Sequence, residues 1–249
     1  MDQFGLNGAL LIIGALSLNA VPCGLAIPPS AYEKQRRGAK TQRRRSLGTG
    51  LDILATSIRS HFEALGDFRF LLFLLTGLGF SSGLACYYLY LPDFLLHSGY
   101  AALTASFVLS ATGVGSIPSR LLTGVASNDA NIDTVTFFFG IHALAAVATF
   151  VAPFAVGSLV AELVLAVLFG VYTGAVWASY SPLLLELLGV RRVATGVGLY
   201  LFTMGVGYMA GPPIAGHIYT SSSNFHHIFY FTSKCFVCAG SYGVYSCEQ

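Results

Sequence analysis

Seven uninterrupted apolar runs constrain this chain more than any motif in it. They lie at residues 4–27, 68–91, 101–124, 134–155, 159–181, 194–218 and 227–245. A helix needs roughly 20 apolar residues to cross the hydrocarbon core of a bilayer, and each run meets or approaches that length. Composition agrees: 55% of the 249 residues are hydrophobic and 10% are charged, where a soluble domain carries about 25% charged residues. The expected fold class is all-α, a polytopic membrane helix bundle of seven spans. A β-barrel would show short segments of alternating polarity, and these runs do not alternate.

The basic residues set an expected orientation. Seven of the 13 lysines and arginines fall between Lys34 and Arg45. Such a stretch is too charged to pack, and the positive-inside rule holds it in the cytoplasm. The chain then divides into a transmembrane helix at 1–28, a basic cytoplasmic loop at 29–66 and a six-helix transmembrane bundle at 67–249. The N-terminus is expected outside and the C-terminus inside. Loops 125–133 and 186–193, the latter with Arg191 and Arg192, fall on the same inner side. The opposite loops carry Asp93, His97, His226 and His227 and no lysine or arginine. The basic loop reads as a solvated linker or as a contact for anionic membrane lipid; no nucleic-acid partner is expected. Residues 51–64 suit a short amphipathic helix on the membrane surface.

Motifs for chemistry are sparse. Cys235-x-x-Cys238 lacks the second pair a metal site needs. No phosphate loop, nucleophile motif or metal-ligand cluster is present, so no enzyme, cofactor or metal is expected. No cleavable signal peptide is evident.

The polar residues inside the apolar runs carry the functional signal. Arg120 is the most costly, because a central arginine in a membrane helix costs about 2.5–3.5 kcal/mol on insertion scales. Two readings stand: a carboxylate anchor using its bidentate fork, or a charge reaching to the membrane edge. Ser116, one turn away, either donates to an anion or packs. Thr173, Trp177 and Tyr180 fall at i, i+4 and i+7, on one helix face, and suit a pocket for a carboxylate with an apolar body or interhelical packing. Gly211-Pro212-Pro213 interrupts helical hydrogen bonding and is a structural or gating element. Glu186 and Arg191 share an inner loop, as a surface pair or a gate. Tyr87, Tyr88 and Tyr90 read as an interfacial aromatic belt. Glu162 is placed at a hydrated outer helix end, His142 reads as a packed histidine, and Lys234 has no functional account.

Several of these stretches resemble the monocarboxylate transporter family of the major facilitator superfamily. Leu188-Gly189-Val190-Arg191-Arg192 followed by Ala194-Thr195-Gly196-Val197-Gly198-Leu199 looks like that family's loop into the eleventh helix. Gly211-Pro212-Pro213-Ile214-Ala215-Gly216 resembles the eleventh helix itself, and Glu186 matches an acidic position before it. Phe4-Gly5-x-x-Gly8 with Asn19 and Pro28 resembles the sixth helix, and Ser116-Ile117-Pro118-Ser119-Arg120 falls on the eighth. The resemblance covers nearly the whole chain and implies its sixth to twelfth helices, the C-terminal half of the fold plus one preceding helix.

What the resemblance implies is a plasma-membrane, multi-pass carrier of monocarboxylates such as lactate or pyruvate, with or without a proton, by alternating access. Some members carry aromatic amino acids or thyroid hormones. Proton-coupled members pair an aspartate with an arginine four residues later on the eighth helix. Here the arginine is Arg120 and the aspartate position is Ser116, which argues against symport at that site. The substrate set expected is Arg120, Ser116, Thr173, Trp177 and Tyr180, with Gly211, Pro212, Pro213, Glu186 and Arg191 as gating or structural residues. Expected partners are membrane lipid, the missing N-terminal half or another transporter half, and a single-span accessory glycoprotein. The alternative is a truncated, non-transporting membrane protein.

Overall fold

A computed structural model of the chain describes residues 66–126 and 134–248, all within one compact unit, Ile58–Gln249. The first predicted span, the basic loop and the 51–64 segment lie outside the described residues. Six of the seven predicted spans lie within them, and each is a helix: α1 (Phe68–His97), α2 (Ala102–Ala126), α3 (Thr134–Val151), α4 (Leu159–Val190), α5 (Arg192–Ser222) and α6 (His226–Glu248). A short 3-10 turn, Ala152–Phe154, closes α3. Five of the six are both long and apolar enough to cross a membrane. The sixth, α6, has the length at 23 residues, but His226, His227 and Lys234 dilute its apolar run.

α1 is the central helix. It buries large side chains around its circumference, among them Phe70, Phe73, Phe80, Tyr87, Leu91 and Phe94, as a helix apolar on all sides must. Its start is fixed by Asp67, whose carboxylate accepts from the Arg69 N–H at 3.0 Å, satisfying one of the orphan donors of the first turn. Around it, α4 and α6 run antiparallel and α5 runs parallel, as the pairs Tyr87–Phe169 with Phe80–Trp177, Phe94–Phe229 with Gly83–Phe236, and Ser82–Gly207 with Tyr90–Pro212 require. α2 and α5 are the least covered helices, with 28% and 22% of their most apolar stretches buried, against 61% for α1.

The bundle closes by backbone-to-backbone approach at glycine. A Cβ on Gly170 would fall on the Thr112 carbonyl, and one on Gly174 would come within 2.5 Å of the Ser116 carbonyl oxygen. A Cβ on Gly211 would lie 2.7 Å from the Ser82 carbonyl oxygen. Small residues permit this because lipid supplies no hydrophobic drive between helices, so close packing and hydrogen bonds must hold them. Hydroxyls inside the bundle are satisfied internally. Thr76, Thr149, Ser179 and Thr232 each donate to the carbonyl four residues back, as groups cut off from water require.

Two expectations about boundaries are corrected. The predicted inner loop 186–193 is not an extended loop: two helices abut there, and the chain reverses at one residue, Gly189, with φ 68° and ψ 168°. That region is open essentially to glycine alone, which is why a break read as a polar loop is in fact a single-residue turn. α1 likewise runs six residues beyond the predicted end, through Pro92, to a cap at Ser98.

Gly189→Ala therefore tests the turn. No atom lies near the position a Cβ would take, so the cost is backbone strain alone, about 1–3 kcal/mol. Reversible unfolding of the reconstituted chain should show that loss, and an unchanged stability would refute the assigned conformation.

Candidate functional site

α2 buries one stripe, Ala105, Val108, Thr112, Gly115, Ser119 and Thr123, against α4. The two helices run parallel, with Thr112 opposite Gly170, Ser116 opposite Gly174 and Gly115 opposite Val167. Ser119 anchors the seam by donating its hydroxyl across to the Val171 carbonyl. Successive residues of a helix step by about 100°, so Ser116 and Arg120 lie together on one flank of the buried stripe. The other flank, with Pro118 and Leu122, faces α3 across a 230 Å³ cavity that Phe137 and Ile141 complete. Arg120 is thus on the side of α2 turned away from α3. Its side chain is exposed, and the seam contacts bring it level with the stretch of α4 between Tyr172 and Ala178.

α4 turns Thr173, Trp177 and Tyr180 to the side between α1 and α2. The three share a face, but their roles differ. Thr173 is buried, and its hydroxyl donates to the Gly170 carbonyl at 3.0 Å. Trp177 and Tyr180 are half-buried and join an aromatic run. Trp177 meets Phe80 edge-on at 6.2 Å and Tyr180 at 5.9 Å; Tyr180 stacks on Tyr200 at 5.5 Å, and Tyr200 stacks on Phe73 at 4.9 Å. Each such pair is worth about 0.5–1.5 kcal/mol beyond area burial, so this wall is stiff. Phe73, Phe80 and Tyr200 were invisible as site neighbours in the sequence, because their contacts depend on the pairing of α1, α4 and α5.

Ser116 is half-buried, with its backbone against Gly174. Glu186 and Arg192 are exposed near the Gly189 turn. The Arg191 side chain lies outside those described. Gly211 lies against the Ser82 backbone, and the Pro212 carbonyl accepts from the Tyr90 hydroxyl at 2.9 Å. The Ser82 hydroxyl is shared between the carbonyls of Leu78 at 2.8 Å and Gly207 at 3.2 Å. Pro212 and Pro213 cannot donate to the Tyr208 and Met209 carbonyls, so α5 lacks two of its own hydrogen bonds where α1 adds cross-links.

Two further expectations change. The tyrosine belt is not one: Tyr87 stacks on Phe169 with ring centroids 3.6 Å apart inside the bundle, and Tyr90 bonds to α5; only Tyr88 is exposed. Glu162 is not hydrated but 1% exposed, with Oε1 lacking a hydrogen-bond partner among the described residues. Lys234 is exposed on the outward face of α6, opposite Phe236, which packs against Gly83 of α1. His142 is fully buried, with Nδ1 on the Phe138 carbonyl at 2.9 Å. Its Nε2 and the Tyr172 hydroxyl are buried without partners among the described residues, their rings 5.6 Å apart.

The comparisons with known proteins agree with this architecture. Mouse monocarboxylate transporter 11 is 26% identical over 97% of this chain and 52% of its own length. Rat monocarboxylate transporter 3 is 24% identical over 100% of the chain and 50% of its own length. The chain is a relative of the monocarboxylate transporters. Rat monocarboxylate transporter 13 adds a third match, 27% identical over 97% of the chain and 52% of its own length. The chain spans about half the length of these curated relatives. No family model matches it. These relatives are named as transporters, and five of this chain's described helices are long and apolar enough to cross a membrane.

Tyr90→Phe removes only the bond to Pro212. A hydrogen bond between membrane helices is worth about 0.6 kcal/mol on average. The variant should lose about that amount in reversible unfolding, with the helical content unchanged. A loss no larger than that of Tyr88→Phe, at an exposed neighbour, would show that the contact does not join α1 to α5.

Proposed function

We propose that this chain forms the C-terminal half of a carrier for monocarboxylates or related organic anions, with Arg120 as the carboxylate anchor. The observation that carries the reading is the position of Arg120 in a relative of monocarboxylate transporters. It is exposed on the flank of α2 turned away from α3, level with the stretch of α4 between Tyr172 and Ala178 that carries the half-buried Trp177. Carriers of this kind bind substrate near the midplane between two halves and rock those halves around it.

The surfaces of α2 and α5 support that arrangement. Phe107, Ile117, Leu121 and Val125 on α2, and Phe202 and Met209 on α5, are each more than 60% exposed. Such faces need another half or lipid to cover them. Arg120 offers a planar fork that takes a carboxylate through two parallel bonds. Trp177 and Tyr180 offer an amphipathic wall for the substrate's body. Ser116 carries no ionisable group at physiological pH, so transport through this pair of residues is facilitative rather than proton-driven at that position. Orientation follows the positive-inside rule, with the basic loop cytoplasmic, in the plasma membrane. Glu186 and Arg191, beside the Gly189 turn, suit an inner gate against the other half, and Gly211-Pro212-Pro213 suits an outer one.

A second reading rests on the chain's coverage of about half of each relative: a membrane protein that does not transport by itself and acts with a separate half. Co-expression decides between them. Uptake by the chain alone would exclude the need for a second half.

Uptake of labelled lactate, pyruvate and aromatic amino acids should be measured in cells expressing the chain with an N-terminal half of a monocarboxylate transporter. Arg120→Ala removes a charge-assisted bidentate contact worth about 1.5–3 kcal/mol, so uptake at low substrate should fall roughly tenfold or more. Arg120→Lys, which keeps charge without the fork, should restore part of it. Undiminished uptake in Arg120→Ala would refute the anchor role.

A further inference from the structure

The strongest unassigned feature of the bundle is Glu162. It is the single charged residue between Leu159 and Leu185, and it lies in the first turn of α4, after the Ser158 cap. Its side chain is 1% exposed, and Oε1 has no hydrogen-bond partner among the described residues. An ionised carboxylate removed from water without a counter-charge costs several kcal/mol, and an unpaired one is kept only as a neutral group or with a bound cation.

The described neighbours supply no counter-charge. From α1, Tyr87 stacks on Phe169, two turns along α4 from Glu162, and is a neutral phenol, itself 3% exposed; Asp93 on the same helix is exposed and acidic. α2 has one charged residue, Arg120, near its opposite end. The titratable group of α3 that faces α4 is His142, which is against Tyr172, ten residues further along. On α5, Tyr200 meets α4 at Tyr180, eighteen residues further along. At the near end of α6, His226 packs against Phe94, Phe154 and Tyr230. A hard metal cation would need several further oxygen ligands, and among the described residues no group of three His, Cys, Asp or Glu is assembled.

We propose that Glu162 is a proton-binding carboxyl of the bundle, holding its proton between the helices. This is a titratable site on the chain at the end of α4 remote from Arg120, separate from position 116, where a serine stands. The proposal stands on the burial and the missing partner. It does not depend on the transport reading and survives even if the chain carries nothing.

Dicyclohexylcarbodiimide tests it, because this lipid-soluble reagent modifies carboxyls that are protonated in apolar surroundings. The purified full chain, reconstituted in lipid, is treated across a pH series with and without sodium. Modified sites are then mapped by peptide mass spectrometry, with E162Q as the control for peptide assignment. Glu186, exposed near the Gly189 turn, is the internal reference. The expected result is modification of Glu162 at neutral pH at least fivefold above Glu186. It should decline as pH rises and be indifferent to sodium at fixed pH. Modification of Glu162 no greater than that of Glu186 would overturn the proposal. So would protection by sodium at constant pH, which would make the site one for a metal cation.

Discussion

Helices in a bilayer gain nothing by hiding apolar surface from each other, because the lipid is as apolar as their side chains. This bundle depends on the alternative, backbone approach through small residues. Gly170 and Gly174 of α4 admit the carbonyls of Thr112 and Ser116; Gly207 and Gly211 of α5 admit the α1 backbone around Leu78 and Ser82; Gly79 admits the Cys235 carbonyl of α6. Hydroxyls lock the same seams, Ser119 to Val171 and Ser82 to Gly207. The seams fix which faces are left over, and so fix where Arg120 points.

The same constraint explains where the polar residues sit. Groups with a local partner are buried, as with Thr173 and Thr232, each of which donates within its own helix. Ser233 reaches across to the Ala146 carbonyl at 2.8 Å. The exceptions among the described residues are His142 Nε2, the Tyr172 hydroxyl and Glu162 Oε1, buried without partners. Unpaired groups of this kind are uncommon in a folded core and call for an explanation. For His142 and Tyr172, 5.6 Å apart by ring centroids, a bridging water would satisfy both; for Glu162 a proton would.

The sequence was most legible where length and hydropathy decide. Six of its spans fall where helices stand, with ends shifted by up to nine residues, the largest shift being the end of α4 at Val190. It was least legible where pairing decides. Tyr87 and Tyr90 have the composition and spacing of an interfacial belt, yet the antiparallel register of α1 and α4 stacks Tyr87 on Phe169. Tyr200 joins the Trp177–Tyr180 wall only because the chain reverses at Gly189. That reversal was read as a polar loop because Glu186, Arg191 and Arg192 are charged, while one glycine at positive φ does the turning. Glu162 carried a legible signal, a lone carboxyl in an apolar run, but proximity to a helix end suggested hydration instead of burial. The shared face of Thr173, Trp177 and Tyr180 was legible from periodicity. The flank on which Arg120 sits was not, since it follows from the α2–α4 seam.

That seam is the central claim, and a matched pair of substitutions tests it most directly. Gly170→Ala and Gly113→Ala change the same atoms, and alanine is no worse than glycine for a helix. Only Gly170 faces backbone, the Thr112 carbonyl, while Gly113 faces open space. Reversible unfolding of the reconstituted chain should show Gly170→Ala destabilised by about 1–3 kcal/mol, the usual cost of overpacking, and Gly113→Ala unchanged or up to about 1 kcal/mol more stable. Equal stability of the two variants would contradict the close approach of α2 and α4, and with it the placement of Arg120.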